Sequence, residues 1–151
     1  MSKLYVDEIR GKTTGIYPII SERPLPVFSA SHSGSLVISN AVLTSSNCYD
    51  TVFVNQGNHF NLSTGEFTCP VNGIYRIAAR MTSTNVTTNV RLQKNGSTLS
   101  EVYSDGVGSN YDVGGEAITE CVIGDTLRIQ VATCNTLGGD QHKHFAFYLM
   151  R

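Results

Sequence analysis

Apolar and polar residues alternate along most of this chain. The clearest run is residues 73–81, where Tyr75, Ile77 and Ala79 fall on one side and Arg76, Ala78 and Arg80 on the other. A period of two places successive side chains on opposite faces of a β-strand. Shorter β-rich runs stand at 27–30, 35–38, 50–54, 60–62 and 66–69, and longer ones at 89–94, 97–103, 116–123, 126–133 and 143–150. Turn residues separate them: Ser63-Thr64-Gly65, Asn95-Gly96 and Gly124-Asp125. Asn-Gly between two such runs is the strongest short hairpin signal, because both residues tolerate the positive φ a tight hairpin turn requires. Turns recur every eight to twelve residues and no stretch carries a helical period. The fold class predicted is an all-β sandwich.

Residues 1–26 break this pattern. They hold seven of the twenty-three charged residues and three of the four prolines. Each proline drives its predecessor to extended geometry, so 17–26 reads as a linker. Leu4, Val6 and Ile9 are the apolar residues with which this segment could anchor to something else. The expected division is an anchor and linker over 1–26 and a head over 27–151. The opening stretch MSKLYVDEIRGKT has no apolar centre of a secretory signal.

Composition narrows the function. The net charge of −1 argues against a protein held on nucleic acid by phosphate neutralisation. No run approaches the roughly 18 apolar residues of a spanning helix, so membrane insertion is not expected. Charged residues are only 15%, while Ser, Thr and Asn together make 41 of 151; a polar, weakly charged surface suits an exterior β-protein. Cys48, Cys69, Cys121 and Cys134 form no Cys-x-x-Cys pair and are expected to be thiols in or near the core.

Tyr49, Asn55, Phe60, Phe67, Gly73 and Tyr75 follow one another at a characteristic spacing, supported by the turn and strand at 63–70, the Lys94-Asn95-Gly96 hairpin, the Gly124-Asp125 turn and the terminal Phe145-Ala146-Phe147-Tyr148-Leu149. In these positions residues 27–151 resemble the C1q domain of the C1q/TNF superfamily. Tyr49 stands where that family usually has Phe, and Ile77 and Ala79 where it has aromatics. The resemblance implies a ten-stranded jelly roll that assembles as a homotrimer, each chain with two identical partners. It assigns Tyr75, Ile77, Cys121, Phe145 and Phe147 to the core. It assigns Ile118, Val122, Ala146, Tyr148 and Met150 to the subunit interface, with Arg76, Arg80 and Glu120 on the same face. A charge buried there needs a partner, and Glu120 is expected to bond Arg76 or Arg80.

The first dozen residues are similar to the start of many bacteriophage virion proteins, tail-fibre proteins above all. That resemblance implies docking of residues 1–26 on another virion protein and a place on the phage particle. Together the two resemblances imply a trimeric structural and adhesion module of a tail fibre or similar appendage. The alternatives are a capsid decoration (cement) protein and a C1q-like binding protein of a bacterium outside any virus.

Antiparallel connectivity from a common base gathers segments 82–88, 104–114 and 135–142 at the far end. Asp105, Asn110, Tyr111, Asp112 and Asp140 are the candidates there for a host-surface glycan or protein. His142 and His144, two apart on a strand, point to one side; in a trimer three such pairs could hold a metal ion on the axis. Asp105, Asp112, Glu116 and Asp140 could supply oxygen ligands to calcium. Otherwise no cofactor is expected. Gly11-Lys12-Thr13 imitates the end of a phosphate-binding loop, but Val6 stands where a glycine is needed. There is no Gly-x-Ser-x-Gly elbow, and an enzyme is not expected.

Overall fold

A computed structural model describes residues 25–84, 88–104, 111–136, 138 and 143–150. Eleven strands run in chain order: β1 (Val27–Ser31), β2 (Val37–Val42), β3 (Thr51–Gln56), β4 (Phe60–Asn61), β5 (Glu66–Thr68), β6 (Gly73–Ser83), β7 (Thr88–Lys94), β8 (Ser97–Ser104), β9 (Tyr111–Cys121), β10 (Thr126–Asn135) and β11 (Lys143–Met150). Among the described residues there is no helix, hence none long and apolar enough to cross a membrane.

The strands form two antiparallel sheets. The first has the order β3-β1-β11-β6-β9 and the second β4-β5-β10-β7-β8, with β2 beside β5 along the remaining edge of β10. Apart from the consecutive pairs β4–β5 and β7–β8 the neighbours are far apart in sequence, which gives a jelly roll rather than a meander. Among the described residues eleven strands stand where ten were expected.

Alternation decides what lies between the sheets. Phe28, Tyr75, Ile77, Met81, Phe145 and Phe147 enter from the first sheet, and Phe67, Val90, Leu92, Leu127, Ile129 and Val131 from the second; all are fully buried. The rings of Phe28 and Phe60 stack at 3.7 Å, and those of Phe67 and Phe147 at 5.9 Å. Tyr49 meets Phe28, Phe60 and Phe145 edge-on. Offset and edge-to-face contacts of this kind add to the area such rings bury. The residues that carried the family spacing (Tyr49, Phe60, Phe67, Tyr75) are thus the aromatic centre of the core.

Local chemistry fixes the turns. Asn95 (φ 49°) and Gly96 (φ 80°) both take positive φ between β7 and β8, where Lys94 pairs with Ser97, as the primed turn demands. Gly115 of β9 is needed for a different reason. A Cβ there would stand 2.2 Å from a Val102 methyl on β8, so the glycine lets the two sheets close along that seam. At the opposite edge of the first sheet, β1 and β3 shift register between Ser29 and Ala30, which pair with Val54 and Val52. Phe53 is the extra residue of this bulge, and it is 58% exposed.

Candidate functional site

The exposed side of the first sheet carries most of the unexplained chemistry. Strand register sorts it into rows across β11, β6 and β9: Met150–Ile74–Glu120, Tyr148–Arg76–Ile118, Ala146–Ala78–Glu116 and His144–Arg80–Gly114. All eight interface residues expected from the sequence lie on this face or, for Val122, directly beyond its last strand. Ile74, Ile118 and Val122 are 50%, 56% and 56% exposed. Three half-bare aliphatic side chains at one end of a sheet face are unusual for a surface that meets only water. Ile74 belongs to the patch and was not singled out in the sequence, although it shares the parity of Arg76 and Arg80.

Both arginines on this face are paired with carboxylates of β9. Arg76 bonds Glu116 and donates to the Tyr148 hydroxyl at 2.6 Å, and Arg80 reaches Asp112 at 2.5 Å. The hydrogen bond to Glu116 is the largest cause holding the Arg76 pKa above its ordinary value, followed by that to Tyr148. The guanidinium also stands 5.8 Å from the Tyr148 ring centroid, in cation–π range.

The expected Glu120 pair is not made. Both arginines choose the same diagonal: each reaches the β9 residue two positions before its direct cross-strand partner, Glu116 for Arg76 (opposite Ile118) and Asp112 for Arg80 (opposite Gly114). Sheet twist makes the two diagonals of a strand pair unequal, and Glu120 lies on the other one. Its main-chain carbonyl accepts from Lys94 Nζ at 2.8 Å instead, while its side chain faces outward.

Between the ion pairs the sheet is hollow. Ala78 and Gly114 have little side chain, and the depression over them, about 440 Å³, is rimmed by Arg80, Asp112, Glu116 and His144. His144 shares this outer face with Ala146 and Tyr148, as expected. Its Nε2 is 3.0 Å from Ser29 Oγ and its ring stacks on Phe53. These two partners were not legible, because Phe53 reaches the face only through the β1–β3 bulge.

The far end of the sandwich is assembled as anticipated. Ser83 pairs with Tyr111 and Thr136, its hydroxyl is 2.6 Å from that of Thr88, and Thr88 pairs with Ser104. The connections β6–β7, β8–β9 and β10–β11 therefore start and finish at one end. Lys143, at the start of β11, is buried there. Tyr111 and Asp112, however, are strand residues: β9 pairs with β6 up to Ser83, so these two leave the loop assigned to them. Asp112 accepts from Thr82 Oγ1 at 2.7 Å as well as from Arg80, on the outer face of the sheet. Glu116, offered for calcium at the loop end, sits mid-strand opposite Ala78 and bonds Arg76. Asp105, Asn110, Asp140 and His142, and the anchor residues Leu4, Val6 and Ile9, lie outside the described residues. Among the described residues no group of three or more His, Cys, Asp or Glu could hold a metal ion.

A two-sheet antiparallel jelly roll with an aromatic centre defines the class: a globular β-head of the C1q/TNF type. The description of the C1q domain matches residues 27–150, and the chain belongs to the C1q domain family. Complement C1q and tumor necrosis factor-related protein 9 of Mus musculus is 31% identical over 74% of this chain and 34% of its own length. The related protein 9B of Homo sapiens is 28% identical over 55% of this chain and 25% of its own. The chain thus spans about a third or less of the curated relatives it matches. Among solved structures, the globular domain of zebrafish complement 1qA superposes with a TM-score of 0.68 at 19% identity, covering 83% of this chain and 98% of that one. The Eiger TNF of S. frugiperda gives 0.66 at 12% identity, covering 85% and 94%.

Proposed function

We propose that this chain is a non-enzymatic binding head that works as a homotrimer, closing through the outer face of the first sheet and presenting its loop end to a ligand. The observation that carries the reading is the cluster of exposed aliphatic residues at one end of that face (Ile74, Ile118 and Val122) beside two arginines already neutralised by Glu116 and Asp112. Charges that are paired before assembly lose less on burial than free ones. The hollow over Ala78 and Gly114 gives a second chain a place to insert. Membership of a superfamily whose domains commonly trimerise supports the same reading.

Mechanically, the sandwich fixes the ends of three connections side by side, the usual arrangement of a recognition surface on a scaffold. A host-surface glycan or protein is the proposed ligand. Placement of the head on a phage tail appendage, with residues 1–26 docked on another virion protein, rests on the likeness of the first dozen residues alone. The mammalian relatives favour the second reading, a C1q-like binding protein outside any virus. Sedimentation of the full chain at micromolar concentration tests the assembly: three-chain mass for wild type and single-chain mass for Tyr148→Asp are expected. A monomeric wild type, or an intact Tyr148→Asp trimer, refutes it. Binding of the trimer to host cells then separates an adhesion head from a particle-clamping one, which binds none.

A further inference from the structure

The outer face of the first sheet carries a projection and a hollow that the chain does not bring together itself. The projection is Phe53, the extra residue of the β1–β3 bulge on the outermost strand. It is 58% exposed, and its ring stacks on that of His144. The hollow, about 440 Å³, lies over β6 and β9. Ala78, Gly114 and Gly115 form its floor, and Arg80, Asp112, Glu116 and His144 its rim. The order β3-β1-β11-β6-β9 puts three strand steps between the backbones of Phe53 and Ala78, roughly 14 Å. His144 stands between the two features, and Phe53 does not line the hollow of its own chain.

We propose that the Phe53 ring of one chain seats in the hollow over Ala78 and Gly114 of the next, three such contacts closing the ring of chains. This rests on the homotrimer proposed above and names what enters its hollow. Symmetry supplies one argument. Contacts around a threefold axis are head-to-tail: each joins two different patches, and every chain must carry both. A projection toward one edge of a sheet face and a hollow toward the other meet that requirement. Chemistry supplies a second argument. The floor is alanine and glycine, and Arg80 and Arg76 are already held by Asp112 and Glu116. An apolar ring can therefore enter without breaking a hydrogen bond, and the Arg80 guanidinium on the rim suits the face of an aromatic ring. Tyr103 is the other exposed Phe or Tyr among the described residues, but it belongs to β8 of the second sheet. Aromatic anchors seated in pockets dominate the energetics of protein interfaces.

A double-mutant cycle on the trimerisation constant of the full chain, read by sedimentation equilibrium over a dilution series, tests the contact. Phe53→Ala removes the projection and Ala78→Leu fills the hollow. Each is expected to weaken trimerisation roughly 10²- to 10³-fold, about five- to tenfold for each of three contacts. The Phe53→Ala/Ala78→Leu double variant is expected to be no weaker than the weaker of the two single variants, because both changes abolish one and the same contact. Residues three strands apart in one chain act independently, so that shortfall locates their coupling between chains. Ala78→Ser leaves the hollow open and is expected to keep the wild-type constant. Urea unfolding confirms that each variant is folded, and Ala78→Val takes the place of Ala78→Leu should the latter fail to fold. A wild type of single-chain mass overturns the assembly and this contact with it. A wild-type trimer that Phe53→Ala leaves intact, or losses that multiply in the double variant, overturns the seating of Phe53 alone.

Discussion

Ile118 lies in the middle of β9, on the outward side of the first sheet, opposite Arg76 and 56% exposed. Replacing it with Ser touches almost nothing within one chain, but it removes apolar surface that assembly would cover. Fully burying an isoleucine is worth about 1.5–3 kcal/mol, so the exposed half represents roughly 1–1.5 kcal/mol per chain. Three symmetry-related copies bring this to about 3–5 kcal/mol, a factor of roughly 10² to 10³ or more in the trimerisation constant. Ile118→Asp should be worse, because its carboxylate would stand between Glu116 and Glu120 on the same face. The assay is sedimentation velocity across a dilution series, paired with urea unfolding of whatever monomer appears. The expected outcome is trimer dissociation at much higher concentration for Ile118→Ser, with monomer stability within about 0.5 kcal/mol of wild type. An unchanged dissociation profile for both variants would show that this face does not close the assembly. A large loss of monomer stability would mean that Ile118 supports the fold itself.

Two further outcomes follow from other parts of the sandwich. Gly65 has φ +72°, and a Cβ there would stand 2.0 Å from the Leu43 carbonyl oxygen, so Gly65→Ala should lower stability by roughly 2–4 kcal/mol in urea unfolding; a loss below about 0.5 kcal/mol contradicts the packing described. Asp125 is held down from 3.8 to about 2 by hydrogen bonds from the Asn95 side chain, from Lys94 and from the Val122 N–H. Its folded pKa lies below its unfolded one, so its contribution is complete above about pH 5 and disappears as pH falls through about 2. Melting temperature should drop between pH 4 and 2, and the drop should be shallower in Asp125→Asn; equal slopes would remove Asp125 from the account.

The fold was legible where a residue's role depends on its own strand. Alternation in 73–81 and 143–150 separated Tyr75, Ile77, Phe145 and Phe147 from Arg76, Arg80, Ala146 and Tyr148, the C1q resemblance assigned the first set to the core, and the structure buries it. Asn95-Gly96 announced its hairpin because both residues accept positive φ. What failed to show depends on pairs of strands. Glu120 and Glu116 have the same parity, and only the twist between β6 and β9 makes Glu116 the partner of Arg76. Tyr111 and Asp112 follow a stretch rich in Gly, Ser and Asn and read as loop, yet β6 is long enough to pair with them. Phe53 reached the face of His144 through a register shift that no alternation pattern encodes.

That same shift has a bearing on how copies of this chain tolerate crowding. β3 is the outermost strand of its sheet, and an open rim of backbone donors and acceptors can template fibril growth. The extra residue bends the rim and projects an aromatic ring beside it, so an incoming chain finds no straight ladder to extend. At this rim, close neighbours then meet through side chains rather than through a continued ladder.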